Sequence, residues 1–293
     1  MNKIYETPFA LISGSAGWGI RFPEDLQEPG VRVLERGLTF DTPYGVSDNW
    51  QVIEIDARLT PDGKARQVLN VFAHGWPVDR MDRSSHQRVF WILEQAGAKK
   101  VLADSTCGSI NRAVQPRDYV ITNDFLYLNE TEFSVLPGRF KHVCRGKQLV
   151  CPNMAATLEQ VAREAWPERD RVYGAGNCLV AAHTWGPRFE TPAEARALML
   201  LGADIVNQSM APEATNAREI GACFVSGTYV VNYVDGVLPH EWGELDRIHD
   251  DLGSLAARIS LRAIARTELT DTCGCSDYRK ERPAKYRTIG QKE

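Results

Sequence analysis

Residues 186–221 read GPRFETPAEARALMLLGADIVNQSMAPEATNAREIG. Thr191-Pro192 has the form of a helix N-cap followed by proline at the first helical position, so a helix is expected over 191–201. The short apolar run at 203–207, ADIVN, reads as a strand. Ser209 and a Pro-Glu turn then lead into a second helix over 211–220, closed by Gly221. Helix, strand and helix in such close succession indicate an α/β protein. Ser209 then falls at the carboxyl edge of a sheet, where such folds hold small ligands.

The pattern extends outward in both directions. Strand-like runs are expected at 9–13, 50–59, 67–73, 100–105, 118–122, 172–182 and 222–232. Helical spacing is expected at 84–97, 154–165 and 241–269. No internal repeat interrupts the alternation, which fits a layered α/β fold. A domain over 1–270 followed by a polar tail over 271–293, loose beyond about residue 276, accounts for the whole length.

Composition narrows the function classes. Hydrophobic residues make up 43% and charged residues 25%, an ordinary balance. The net charge of −4, with no basic stripe, argues against nucleic acid as a partner. No run reaches the roughly 18 apolar residues of a membrane span. The first residues lack the apolar core of a signal peptide, so a cytoplasmic location is expected. The seven cysteines, at 107, 144, 151, 178, 223, 273 and 275, are then expected as thiols. Cys273-Gly274-Cys275 is the one tight pair. Without a second pair it argues only weakly for zinc, leaving a redox pair or plain thiols open. No His/Cys cluster has metal spacing, so no metal is expected.

The strand-to-turn stretch LISGSAGW (11–18) lets backbone amides approach an anion. It carries neither G-K-[ST] nor G-x-G-x-x-G, which removes the Walker and dinucleotide fingerprints. A G-x-S-x-G nucleophile elbow is also missing.

Three stretches in order, DSTCGSINRAVQPRDYVI (104–121), residues 186–221 and VVNYVDG (230–236), resemble the trimeric purine nucleoside phosphorylase and methylthioadenosine phosphorylase family. Ser13-Gly14-Ser15, DTPYG (41–45) and AHGWP (73–77) fall where that family has similar segments, and the likeness covers roughly 9 to 265. It implies a single domain whose mixed sheet curls into a distorted barrel flanked by helices, assembled as a homotrimer. It also implies cleavage of a purine nucleoside, with phosphate as co-substrate and no cofactor.

Carried over residue by residue, the resemblance puts phosphate against Ser15, His74, Thr106 and Ser209. For each hydroxyl a cap or turn bond is the structural alternative. There are two departures. Ala73 stands where the family has its phosphate arginine, and Asp104 stands where it has a small neutral residue. Arg80, Arg83 and Arg112 are candidate replacements. Alternatively Asp104 is a general base on water and the enzyme a nucleoside hydrolase; a salt bridge or cap is its structural alternative. A non-catalytic nucleoside-binding protein is a third reading.

The implied base pocket holds Cys107, Gly108, Phe189, Glu190, Val206 and Asn232. Phe189 would stack on the purine. Glu190 would accept from N1–H of a 6-oxopurine. Asn232 would donate to O6 and accept from protonated N7. Family members selective for 6-aminopurines carry Asp at the Asn232 position and lack the Glu, so 6-oxopurines are the expected substrates. The implied ribose contacts are Gln208, in place of the family's Met, with Leu245 and His249 toward the 5′ end and His240 nearby.

Overall fold

The structure is a computed structural model that describes residues 3–77, 82–128, 134–137, 140–141, 149–241, 243–270 and 272–281. In chain order the elements begin with β1 (Phe9–Ser13), β2 (Val31–Thr42), β3 (Gly45–Ile55), β4 (Arg66–Phe72), α1 (Ser85–Gln95) and β5 (Lys100–Ser109). They continue with β6 (Tyr119–Val120), β7 (Asp124–Tyr127), β8 (Phe140–Lys141), α2 (Pro152–Ala165), β9 (Val172–Tyr173) and β10 (Val180–His183). The chain then forms α3 (Pro192–Leu200), β11 (Ile205–Asn207), α4 (Met210–Glu219), β12 (Cys223–Tyr233), α5 (Glu244–Arg266) and β13 (Lys280–Glu281).

Eleven strands form one mixed sheet in the order β2-β3-β4-β1-β5-β11-β10-β7, with β12, β6 and β9 branching from β5. Among the described residues the pairing does not close into a complete barrel. β5 explains the branch. Its first half, Lys100–Ala103, pairs with β1, its end at Gly108–Ser109 pairs with β11, and β12 lies parallel to it along nearly its whole length. On the edge shared by β1 and β11, residues 104–107 therefore have no strand neighbour. Helices pack around the sheet, and one large apolar core runs from β1 through β12 to α5. The run Phe9–Ile12 is apolar throughout because both faces of a central parallel strand are covered.

Local chemistry sets the helix ends. In α3 the Thr191 hydroxyl accepts from the Glu194 backbone N–H at 3.3 Å, and the Glu194 carboxylate accepts from the Thr191 N–H at 2.8 Å. This reciprocal cap satisfies two backbone N–H groups that the helix itself leaves without partners. α4 starts at Met210, so Pro212-Glu213 lies within its first turn rather than forming a turn of its own. Gly221, at φ 75°, ends it as expected.

Three expected strands differ. The 50–59 strand stops at Ile55, where Asp56 accepts from the Arg58 N–H and starts a short 3-10 turn. The 172–182 run splits around a 3-10 turn at Ala175–Asn177 and a left-handed Cys178. At 118–122 only Tyr119–Val120 pair. At the far end, Lys280–Glu281 pair with Phe140–Lys141 and Cys275 is buried, so the described part of the polar tail is packed.

Candidate active site

The gap beside residues 104–107 of β5 is filled by two chain segments. The turn after β1 enters from one side: the Gly14 N–H donates to Asp104 Oδ1 at 2.8 Å, and Ser15 Oγ donates to Thr106 Oγ1 at 2.9 Å. The end of β11 enters from the other, where Asn207 Nδ2 donates to Ser105 Oγ at 2.9 Å and the Thr106 carbonyl at 3.3 Å. Asn207 Oδ1 accepts from the N–H groups of Ser209 and Met210 at 2.9 and 2.7 Å. Asn207 thus caps α4, and the Ser209 side chain makes no cap bond. Its hydroxyl reaches Asn207 Oδ1 only at 3.3 Å.

His74 completes this group. Residues 73–75 are all left-handed, at φ 51°, 53° and 74°. For Ala73 and His74 that conformation costs of order 1 kcal/mol each, a strain that collects at functional sites. His74 is buried, with Nδ1 2.6 Å from Glu213 Oε1 on α4. A Cβ on Gly14 would lie 2.3 Å from both His74 Nε2 and the Asp104 carbonyl oxygen, so only glycine fits between them. Burial lowers the affinity of His74 for a proton, but the adjacent Glu213 carboxylate outweighs it and Asp104 adds to the effect, so the net shift is upward. Burial pushes the Asp104 carboxyl up to about 6, against the opposing Gly14 N–H bond and the His74 charge. Its Oδ2 has no hydrogen-bond partner among the described residues.

On the other side of the gap, β11 sets Val206 opposite Gly108, and β12 sets Asn232 opposite Gly108. The β5–β12 register slips between Val230 and Asn232, a bulge of the kind that re-aims a side chain. Asn232 Nδ2 donates to the Tyr233 carbonyl at 2.8 Å, which leaves one amide hydrogen and Oδ1 for a ligand. Cys107 is buried on β5, next to Gly108. Glu190 is only 7% exposed and accepts from Thr184 Oγ1 at 2.6 Å. The acid in the first turn of α3 is Glu194. Phe189 is 56% exposed and belongs to neither apolar core.

The phosphorylase superfamily profile matches residues 63–265. The chain belongs to the phosphorylase superfamily. The "Probable 6-oxopurine nucleoside phosphorylase" of Thermococcus kodakarensis is 31% identical over 92% of this chain and 97% of its own length. The "6-oxopurine nucleoside phosphorylase" of Pyrococcus furiosus is 32% identical over 84% of this chain and 91% of its own. Among solved structures, methylthioadenosine phosphorylase from Schistosoma mansoni in complex with adenine superposes with a TM-score of 0.66 at 21% identity, covering 93% of this chain and 96% of its own.

Several groups of this candidate site are not evident from the sequence. Glu213 and Asn207 hold His74, Ser209 and Thr106 in place, yet both look like ordinary helix-start and strand-end residues. A chain of rings leads away from His74 through Trp76, His86, Trp185 and His183, with centroids 4.7 to 6.3 Å apart. Burial and then the Arg83 charge push His183 down to about 3, so its imidazole is neutral.

The expected replacement arginines separate. Arg83 stacks on Trp185 at 5.2 Å, within this ring cluster. Arg112 instead donates to the Val237 carbonyl at 3.4 Å, and Arg80 lies outside the described residues.

In the second turn of α5, His249 Nδ1 lies 2.7 Å from the Tyr229 hydroxyl, and its ring meets Trp18 edge-on at 5.9 Å. Leu245 packs against the main core and Gln208 is half-buried. His240 lies 3.5 Å from Asp235.

Proposed function

We propose that this site cleaves the N-glycosidic bond of a 6-oxopurine nucleoside by phosphorolysis, releasing the free base and ribose 1-phosphate. The observation that carries the reading is the pairing of the Ser15 and Thr106 hydroxyls at 2.9 Å in the β5 gap, with Ser209 held one amide away by Asn207 and His74 beside them. Hydroxyls and an imidazolium gathered around one gap suit a dianion. In this reading His74, kept protonated by Glu213, supplies positive charge that Ala73 cannot. The reaction builds positive charge on the sugar and negative charge on the departing purine. Phosphate beneath C1′ meets the first. Asn232 answers the second by holding N7 as it gains its proton. Glu190 orients a purine that carries a proton on N1, and Phe189, Cys107, Gly108 and Val206 bound the ring. Gln208, Leu245 and His249 would meet the ribose. Phosphate serves as co-substrate and no cofactor takes part.

A cytoplasmic homotrimer belongs to the same reading. The exposed apolar run at the end of α3, with Leu200 87% and Leu201 57% exposed, supports burial of that face in an assembly. Sedimentation velocity measures the assembly.

One observation favours water as the nucleophile: a buried carboxyl, Asp104, poised near pH 6. The experiment is purine release from inosine and guanosine, with adenosine and methylthioadenosine for comparison, without and then with phosphate. Phosphate-dependent release with a sugar 1-phosphate co-product is expected. Equal release without phosphate, yielding free ribose, would overturn phosphorolysis.

Asp104→Asn separates the readings further. We expect phosphate-dependent activity within about tenfold of the parent, whereas loss of a general base costs roughly 10²–10⁴-fold. The carboxyl's folded value lies above its ordinary 3.8, so its ionisation costs stability as pH rises from about 4 to about 6. The Asn variant should therefore melt higher at pH 7, by at most about 3 kcal/mol in free energy. Equal melting temperatures of parent and variant across that pH range would contradict this assignment.

A further inference from the structure

We propose that Cys151, Cys223, Cys273 and Cys275 form a tetrathiolate site for one zinc ion, separate from the active site. The four sulfurs all lie within 4.8 Å of one another. The Cys223 and Cys273 sulfurs are 3.4 Å apart. A tetrahedral zinc–thiolate site, with Zn–S near 2.3 Å, needs sulfurs about 3.8 Å apart. Small side-chain adjustments meet that spacing. Cys151, Cys223 and Cys275 are buried and Cys273 is half-buried, so the site is closed on most sides, as structural zinc sites are.

Three different parts of the fold deliver the four ligands. Cys151 is the residue before α2, and Cys223 opens β12. Cys273 and Cys275 flank Gly274, whose φ of 66° turns the chain so that both thiols face the same point.

The surroundings match the charge of such a site. Zinc with four thiolates carries a net charge of −2, which needs nearby donors and cations. Lys100 Nζ lies 3.3 Å from the Cys223 sulfur. The positive N-terminal end of α2 faces Cys151. Arg218, buried beneath the cluster, donates to the carbonyls of Leu149 and Cys275 and so fixes the backbone that carries one ligand and the approach to another. Binding replaces four S–H bonds by four Zn–S bonds and releases four protons to solvent. Zinc is redox-inert, so no oxidant is required. The ion would tie the segment after α5 to the sheet.

The test uses the full chain, purified under reductant without added metal. Elemental analysis should find about one zinc per chain, falling below about a tenth in Cys151→Ser and in Cys273→Ser. Cys178→Ser, an exposed cysteine outside the cluster, should retain the full amount. Cobalt added in place of zinc should give the intense sulfur-to-metal absorption of a tetrahedral thiolate site. Should the serine variants not fold, metal content and thiol count of the parent decide alone. A zinc-free parent with its cluster thiols freely titratable, a parent with those cysteines joined as disulfides, or zinc retained in both serine variants would each overturn the proposal.

Discussion

Replacing Glu213 by Gln should raise the KM for phosphate roughly 10- to 100-fold at neutral pH, the worth of one charge-assisted hydrogen bond. The substitution keeps the shape of the side chain and removes its charge. His74 is buried, and burial by itself drives its imidazole toward the neutral form. Glu213, 2.6 Å from Nδ1, reverses that balance. Without the carboxylate burial wins, and the site faces phosphate with a neutral ring. The pH profile carries the sharper signature. In the parent, phosphate affinity should fall on the alkaline side as His74 loses its proton, at a pH above its ordinary 6.5. In the variant that limb should move to lower pH. The stability that the pair contributes is present below about 6.5 and is lost as pH rises through the raised value, so the variant's melting temperature should vary less over that window. An unchanged KM together with an unmoved alkaline limb would remove His74 from the phosphate site.

The second large effect is on base selection. Asn232→Asp should lower the ratio of kcat/KM for inosine over adenosine by about 100-fold, because a pocket that must pair a polar group discriminates strongly when the partner is wrong. A carboxylate accepts from the 6-amino group of adenine and repels the O6 of hypoxanthine. Asn232 is directed by the bulge in β12 toward Gly108, so the change acts where the ring would lie. Glu190, which would accept from N1–H, remains to disfavour adenine, so the ratio should shift without a full inversion. A ratio that does not move would mean that the base lies elsewhere.

The alternation of strands and helices was legible because it rests on local rules. Thr191-Pro192 with Glu194 gives α3 its start, and Gly221 gives α4 its end. Where two local signals competed, the reading failed. Residues 172–182 are apolar enough for one strand, but Cys178 adopts a left-handed conformation that breaks it. β2 escaped notice because it lies at the end of the sheet and alternates half-buried and exposed residues over much of its length. Within the candidate site, the hydroxyls and His74 are proposed from resemblance to a known family. Glu213 and Asn207 are not, since what distinguishes them is a partner distant in the chain. The cysteine cluster is the extreme case. Its ligands sit at 151, 223, 273 and 275, a spacing that matches no metal motif until the fold brings the ends together.

β5 carries residues for both halves of the proposed reaction. Asp104 and Thr106 lie at the nucleophile end of the proposed site and Cys107 and Gly108 at its base end, with neighbours advancing about 3.3 Å each along the strand. The distance from nucleophile to leaving group is therefore written into a length of covalent chain rather than into the angle of a hinge. Such an enzyme cannot adjust its reach by closing one lobe upon another. Accommodation of a larger or smaller nucleoside falls instead to the loops at the rim, while the separation between the two reacting partners stays fixed from one turnover to the next.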